Sequence, residues 1–284
     1  MRKRLAERIK KCYNKRMEKT KDNKLCVLIT GAASGIGYAV ADQFIKNGHT
    51  VYALDVKKSE IGIPLIADIT DQTALESVFA NLQENGVKLD IILNFAGVHT
   101  MGSFVESDFE KIKRVMEINF LGTVLVNKTL HPLLKEKGKI VITSSEVAPL
   151  AALPFNGIYS VSKTALDSYA QSLRQELNLL GQKVITLRPG AVETPLAKGS
   201  AVSTQKLCEE TELYKAESKN FCKIVEKFTG TPMKAEKFAH FAYKVAMKKH
   251  PKYVYAKHRN VGLLLLGILP KRLQCAVVKW LVKR

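Results

Sequence analysis

Short unbroken apolar runs alternate along this chain with longer stretches whose apolar residues recur every three or four positions. The runs LCVLIT (25–30), TVYALD (50–55), PLIAD (64–68), LDIILNFAG (89–97), GKIVITSS (138–145) and KVITLRPG (183–190) predict strands. Most are apolar at consecutive positions, the mark of strands buried on both faces. Helical spacing fills the gaps: YAVADQFIKNG, stopped by Gly48; 71–84; 108–130; and a helix from about Ile158 carrying Ala165, Leu166, Tyr169, Leu173 and Leu177 on one side. Strands alternating with helices of this length predict parallel pairing with crossovers on both faces, an α/β, doubly wound parallel sheet. No repeat or low-complexity linker interrupts it, so residues 24–255 form a single domain. Residues 194–232 break the rhythm as a long, polar, helix-prone insertion, the place and character of a lid.

Charge is concentrated at the two ends. Of a net +19, residues 1–24 hold 11 Lys/Arg against 3 acids, residues 244–284 hold 11 and no acid, and the stretch between is neutral. In the N-terminal segment (1–23), Leu5, Ile9, Cys12, Tyr13 and Met17 recur at helical spacing; in the tail (256–284), Leu273, Ala276, Val277, Trp280 and Leu281 do the same among Lys271, Arg272, Lys279, Lys283 and Arg284. Basic amphipathic terminal helices suit the plane of an anionic membrane surface; the alternative is that the tail stripe packs on the body or a partner subunit. The longest apolar run, VGLLLLGIL (261–269), is nine residues, against about 20 for a span. No secretory signal pattern is evident. Five widely spaced cysteines without a CxxC pair imply reduced thiols in a cytoplasmic setting and no metal site. No nucleic-acid recognition module is present.

The segment LITGAASGIGYAV lies between a predicted strand and a predicted helix, the setting of a phosphate-binding loop. Gly31 permits a sharp turn, Gly35 lets backbone N–H groups approach a pyrophosphate, and Gly37 lets the helix sit close to the strand; Ser34 and Ile36 complete the turn. Phosphates would rest at the positive end of the helix. Asp55, ending the second strand, can accept both hydroxyls of an adenosine ribose and would repel a 2′-phosphate, which favours NAD(H); Lys57 and Lys58 beside it leave NADP(H) open. Asp68, with Ile69 after it, either accepts from an adenine amino group or caps the next helix beside Thr70 and Asp71.

Tyr159 and Lys163, four apart at a helix start, share one face. Both titrate near ~10 in water, and a nearby ammonium would lower the phenol's pKa; in isolation, the pair reads first as a half-buried Tyr beside a surface Lys.

TGAASGIG, NFAG, a strand ending SS, and YSVSK, in this order, resemble a short-chain dehydrogenase/reductase over roughly residues 24–250. The resemblance implies a Rossmann sheet of about seven strands and hydride transfer between a nicotinamide and an alcohol or ketone. Tyr159 would be the general acid/base, Lys163 would lower its pKa and hold the nicotinamide ribose, Ser145 would bond the substrate oxygen, and Asn119 would support a proton relay. Asn94, Ala96 and Gly97 match the family's NNAG, with Phe95 in place of its second Asn. Pro189, Gly190, Val192 and Thr194 match its PG segment at the carboxamide. The family's usual serine spacing falls on Glu146, 13 residues before Tyr159. The strand end instead selects Ser145, with Ser144 as the alternative. A charge on Glu146 would raise the tyrosine pKa.

The apolar stretch VAPLAALPFNGI marks Val147, Leu153 and Pro154, with Ser145 and Tyr159, as substrate contacts, and LPFNGIY is similar to the family's hydroxysteroid/retinol-handling branch. The function so implied is an NAD(H)-dependent oxidoreductase for a hydrophobic secondary alcohol or ketone: steroid-, retinoid- or lipid-like. It would be a homodimer or homotetramer through helices 108–130 and 158–180, and peripheral on the cytoplasmic face of a membrane; LPKRL-like tails in the family accompany membrane association. The alternatives are an inactive nucleotide-binding scaffold docked on membranes and an NADP-dependent reductase of acyl ketones.

Overall fold

A computed structural model of the chain describes residues 24–150 and 153–283; the N-terminal stripe read over 2–19 lies outside the described residues. The chain runs β1 (Cys26–Thr30), α1 (Gly35–Lys46), β2 (Thr50–Asp55), β3 (Ile63–Ile66), α2 (Gln72–Glu84), β4 (Leu89–Asn94) and α3 (Phe109–Met116). A π-helical segment (Glu117–Gly122) then leads into α4 (Thr123–Leu130), β5 (Leu134–Thr143), α5 (Gly157–Leu179) and β6 (Lys183–Pro189). After β7 (Val192–Glu193) come α6 (Pro195–Glu210), α7 (Lys215–Thr229), β8 (Met233–Lys234), α8 (Ala235–Ala246), β9 (Val254–Lys257), α9 (Val261–Ile268) and α10 (Lys271–Lys283).

Among the described residues, seven strands form one sheet in the order β3-β2-β1-β4-β5-β6-β9, every pair parallel. One face packs Phe44, Val40 and Phe238 of α1 and α8 against Val27, Ile29, Leu93 and Ile185. The other packs Leu75, Leu82, Val126, Leu130, Leu166 and Ala170 against Leu28, Leu54, Ile92 and Ile140. The layers and their alternation are those the apolar runs predict.

Differences are local and have physical causes. β4 ends at Asn94 rather than 97, because the Phe95 and Ala96 N–H groups both turn to the Thr30 hydroxyl (3.1 Å each). β5 begins at Leu134, pairing with Leu89 across a register shift before the ladder resumes at Lys139. Helix 108–130 carries the π turn. The seventh strand, β9, lies in a stretch whose alternating Tyr and Lys gave no apolar run.

Residues 194–232 form α6 and α7, joined back to the body by the short β7–β8 ladder. Thr194 caps α6 by accepting from the Ala197 N–H (3.1 Å), with Pro195 in the first turn. The tail folds back on this lid: Val278 and Val282 of α10 pack with Phe155, Leu207 and Phe221. That is not the face marked by the sequence stripe. Leu273, Ala276 and Trp280 point outward, while Gln274 and Val282 are the buried pair.

Candidate active site

β1 and β4 are neighbours at the centre of the sheet, and their crossovers leave to opposite faces, so a crevice opens at the carboxyl ends of the strands. The turn after β1 holds Gly31 at φ +68° and Gly35 at φ +57°. A Cβ on Gly31 would lie 2.7 Å from the Ala96 nitrogen, and one on Gly37 only 2.1 Å from the Gly31 carbonyl oxygen. The glycine turn is thus clamped between the start of α1 and the NFAG turn. Ser34 is the N-cap of α1, with extended backbone and no side-chain capping bond among the described residues; its hydroxyl and the first amides of the helix suit a pyrophosphate. Ile36 is half-buried in the first helical turn, against the core.

Asp55 ends β2 beside this loop. One carboxylate oxygen accepts from the Ala33 N–H (3.0 Å) and the other from the Lys57 N–H (3.1 Å), which fixes the carboxylate in place at the mouth of the crevice. Asp68 has other partners: Thr70 N–H and hydroxyl at 2.8 and 2.7 Å, and Arg114 at 3.1 Å. Asp71, not Asp68, caps α2 through the Ala74 N–H. The Ile69 side chain is buried in the core, where a Cβ on Gly122 would lie 2.8 Å from its Cδ1.

The chemistry-bearing side chains converge at the ends of β4 and β5. Asn119, in the π segment, is fully buried. Its amide donates to the Val98 carbonyl (2.9 Å) and the Ser162 hydroxyl (3.0 Å), and its oxygen accepts from the Val98 N–H (2.7 Å). A Cβ on Gly97 would lie 3.0 Å from that oxygen and 3.6 Å from Lys163 Nζ, so only glycine leaves this corner open. Lys163 is buried and donates to the Thr143 carbonyl (3.0 Å). The two serines divide their work. Ser144 Oγ donates to the Lys163 carbonyl (3.1 Å), fastening α5 to β5, whereas the Ser145 hydroxyl lies beside the Tyr159 phenol. Ser145, Tyr159, Lys163 and Asn119 are therefore brought together.

The electrostatics differ from the expectation in one respect. Lys163 Nζ stands 5.8 Å from the Tyr159 ring centroid and is turned to the Thr143 carbonyl. Burial pushes the phenol up to about 12, with the nearby Ser145 hydroxyl opposing and the Glu146 charge reinforcing the rise. Burial also pushes Lys163 down to about 8. Desolvation favours the neutral form of each group, and sequence spacing alone cannot weigh it.

Asn94 donates to Asn127 Oδ1 (3.0 Å) and to the Val141 carbonyl (3.3 Å), bracing β4 and β5 behind the cleft. Pro189 accepts from the Glu146 N–H and Gly190 donates to the Lys257 carbonyl, both at 2.9 Å. A Cβ on Gly190 would lie 1.7 Å from the His258 carbonyl oxygen. Val192 is buried in β7, and the Thr194 hydroxyl serves the α6 cap. Val147 is half-buried with its N–H on Ser145 Oγ (3.4 Å), Leu153 packs on the lid cluster, and Pro154 lines a cavity of about 350 Å³ between α7 and α10.

One residue near the chemistry escaped the sequence reading, whereas the effect of Glu146 on Tyr159 is the one its charge implied. His99 stacks 4.5 Å from the Tyr159 ring, engages Asn156 through Nε2 (3.2 Å), and has a buried Nδ1 without a partner among the described residues. Burial holds it down to about 4, hence neutral. A lone His two residues past NFAG carried no signal beyond that proximity. Glu146 is buried, its carboxylate accepting from the Asn260 N–H (2.6 Å), with burial raising its own pKa.

The glycine clamp, the open corner at Gly97 and the carboxylate at the end of β2 fit a dinucleotide whose reactive end reaches Tyr159. The comparisons with known proteins agree with this geometry. A family model described as short chain dehydrogenase matches residues 25–204. A 3-ketodihydrosphingosine reductase of Bacteroides thetaiotaomicron is 28% identical over 232 residues, 80% of this chain and 85% of that one. A 1-hydroxy-2-glutathionyl-2-methyl-3-butene dehydrogenase of Rhodococcus sp. (strain AD45) is 33% identical over 180 residues, 61% of this chain and 80% of that one. The crystal structure of a short chain dehydrogenase from Burkholderia cenocepacia in complex with NADP superposes with a TM-score of 0.68 at 19% identity, covering 90% of this chain and 97% of that one. With the match extending over most of the chain and the cleft built from the same motifs, this protein belongs to the short-chain dehydrogenase/reductase family of oxidoreductases.

Proposed function

We propose that this protein interconverts a hydrophobic secondary alcohol and its ketone, with Tyr159 passing the proton and a nicotinamide dinucleotide carrying the hydride. The reading is carried by the convergence of Ser145 and Tyr159 with buried Lys163 and Asn119 beside the glycine-loop crevice. Hydride transfer to a ketone leaves negative charge on its oxygen, and Ser145 and Tyr159 would supply two donors to it. Gly31, Gly35, Gly37 and Ser34 would hold the pyrophosphate, and Lys163 the ribose next to Tyr159. The dinucleotide supplies the hydride acceptor or donor.

The apolar stretch after Ser145, with Val147, Leu153 and Pro154, supports a bulky lipid-, steroid- or retinoid-like substrate; a relative named a 3-ketodihydrosphingosine reductase is in keeping with this. A homodimer or homotetramer would use α3–α4 and α5, which expose Phe109, Leu121 and Val161. Peripheral attachment to the cytoplasmic face of an anionic membrane belongs to the same reading, carried by the basic C-terminal helices. The direct test is a screen of steroid, retinoid and long-chain acyl alcohols with NAD and NADP, following reduced-nicotinamide absorbance. Absence of turnover with all of them would favour the inactive scaffold.

Asp55 supports NAD(H), since its pinned carboxylate would face a 2′-phosphate. Exposed Lys57 and Lys58, and the NADP bound by the Burkholderia cenocepacia neighbour, favour NADP(H) as the second reading. Under the first, Asp55→Ser shifts the NAD/NADP ratio of kcat/KM toward NADP by about tenfold, or ~1.4 kcal/mol. An unchanged ratio refutes the assignment.

Glu146 raises the Tyr159 pKa through its charge. Glu146→Gln removes that charge and keeps an acceptor for the Asn260 N–H. The phenolate then forms at lower pH, so the pH profile of alcohol oxidation moves toward acid. A profile that stays in place, or moves to higher pH, contradicts this electrostatic link.

A further inference from the structure

His99 lies against Tyr159, yet the reaction as derived gives it no task. The two rings stand with centroids 4.5 Å apart. His99 follows Gly97 by two residues, and at Gly97 the Asn119 and Lys163 side chains meet. The segment that carries it is tied on both sides. The Val98 N–H donates to Asn119 Oδ1, the Met101 N–H to Ser203 Oγ of the lid and the Gly102 N–H to the Phe155 carbonyl, each at 2.7 Å. The backbone thus fixes where the imidazole stands.

Its hydrogen-bonding roles follow from its partner. Nε2 is 3.2 Å from Asn156 Oδ1, an amide oxygen that can only accept, so Nε2 carries the hydrogen. Burial holds the ring down to about 4, with the Asn156 bond opposing and the Lys163 charge reinforcing. At neutral pH the ring therefore has one hydrogen, and Nδ1 is a lone-pair acceptor. That nitrogen is shielded from solvent and has no partner among the described residues. Asn156 is also the N-cap of α5, but its side chain makes no capping bond. The oxygen that would ordinarily accept from the first turn of the helix is turned to His99 instead. A cap forgone and a shielded acceptor left unpaired both weaken the fold. Together they leave a fixed ring whose one acceptor suits a donor arriving with a ligand.

The chemistry of that donor is narrow. Nδ1 can take a hydroxyl or an N–H, and offers nothing to a carbonyl, a carboxylate or a phosphate. Ser145 and Tyr159 are assigned to the reacting oxygen, so the group that meets His99 is a second one. Because the ring packs on Tyr159, this group belongs to the part of the substrate next to the reacting carbon.

We infer that His99 is a specificity-determining residue whose Nδ1 accepts a hydrogen bond from a second substrate hydroxyl, on the carbon adjacent to the one oxidised or reduced. Vicinal diols and α-hydroxyketones are then preferred to simple alcohols and ketones. This rests on the oxidoreductase reading above and narrows its substrate class to apolar chains with paired oxygens at the reacting end.

Steady-state kinetics of the full chain test it by comparing a long-chain alkane-1,2-diol with the 2-alkanol of the same length, in wild type, His99→Phe and His99→Asn. Phe keeps a ring against Tyr159 and removes both nitrogens; Asn restores an acceptor near the position of Nδ1. Wild type favours the diol in kcat/KM by about tenfold, the worth of one hydrogen bond. His99→Phe loses that preference and His99→Asn recovers part of it. Equal kcat/KM for the two alcohols in wild type overturns the proposal. So does a fall by the same factor for both in His99→Phe, since His99 would then only brace Tyr159.

Contact is read separately by ¹⁵N NMR of the wild-type imidazoles with NADH or NADPH bound, a state in which neither alcohol can be oxidised. The His99 Nδ1 resonance, identified by its absence from His99→Phe or His99→Asn, moves on addition of the diol and stays in place with the 2-alkanol. A resonance that ignores the diol overturns the proposal, whatever the variants do. Movement without turnover of either alcohol by wild type would instead count against the oxidoreductase reading and leave the contact standing.

Discussion

Tyr159→Phe abolishes most turnover, lowering kcat by ~10²–10⁴, while nucleotide affinity is unchanged. The range is that of a positioned general acid/base. The substitution removes one oxygen atom and keeps the ring, so the contact with His99 (centroids 4.5 Å apart) and the placement of Lys163 on the Thr143 carbonyl persist. Ser145 remains to bind the substrate oxygen, yet the proton has no carrier. Stopped-flow single turnovers, paired with a fluorescence titration of the reduced dinucleotide, separate the two effects. A variant that turns over at the parent rate would remove Tyr159 from the chemistry. One that fails to bind nucleotide would assign Tyr159 to the cradle instead.

Gly37→Ala has the second-largest expected effect, on both stability and cofactor binding. Its Cβ would fall 2.1 Å from the Gly31 carbonyl oxygen, a backbone atom that cannot rotate away. Either α1 moves off the sheet or the glycine turn opens. The first loosens Val40 and Phe44, both fully buried, and overpacking of this kind costs ~1–3 kcal/mol or more. The second displaces the phosphate-facing amides, and a misplacement of about 1 Å costs on the order of 10²-fold in a positioned site. Gly35→Ala is the control. Its Cβ would meet Thr194 and Pro195 at 3.5–3.6 Å, ordinary contact, so only its φ of +57° resists the change, at ~1–2 kcal/mol. Calorimetric Tm and nucleotide Kd for the pair check the ordering; equal losses at both positions contradict the clamp.

The central sheet was legible because each of its inner strands is buried on two sides and therefore reads as an apolar run. β9 was not, because it is an edge strand whose YVYAK alternates and leaves Val254 exposed. The glycine loop and the Tyr–Lys pair were legible because their meaning lies in short spacing. What escaped depends on partners far along the chain. Asp68 is engaged by Arg114, 46 positions away, and Asn94 by Asn127, 33 positions away; no local pattern announces either. The direction of the Tyr159 shift escaped for a related reason, since spacing names the neighbouring ammonium and says nothing of how much water the fold removes. The tail stripe was a true amphipathic signal whose outward and inward faces only the docking of α10 on the lid could tell apart.

The crossing of the His258 carbonyl over Gly190, so close that a Cβ there would sit 1.7 Å from it, has a consequence for how the molecule is made. Synthesis proceeds from the N-terminus and structure forms as segments emerge. A nascent chain that has reached residue 250 can already assemble the glycine turn and the Tyr159 helix. It still leaves one edge of β6 bare and nothing lying over Gly190. Competence therefore waits for residues 254–258, and until β9 seats itself the growing polypeptide carries an open strand that invites aberrant pairing.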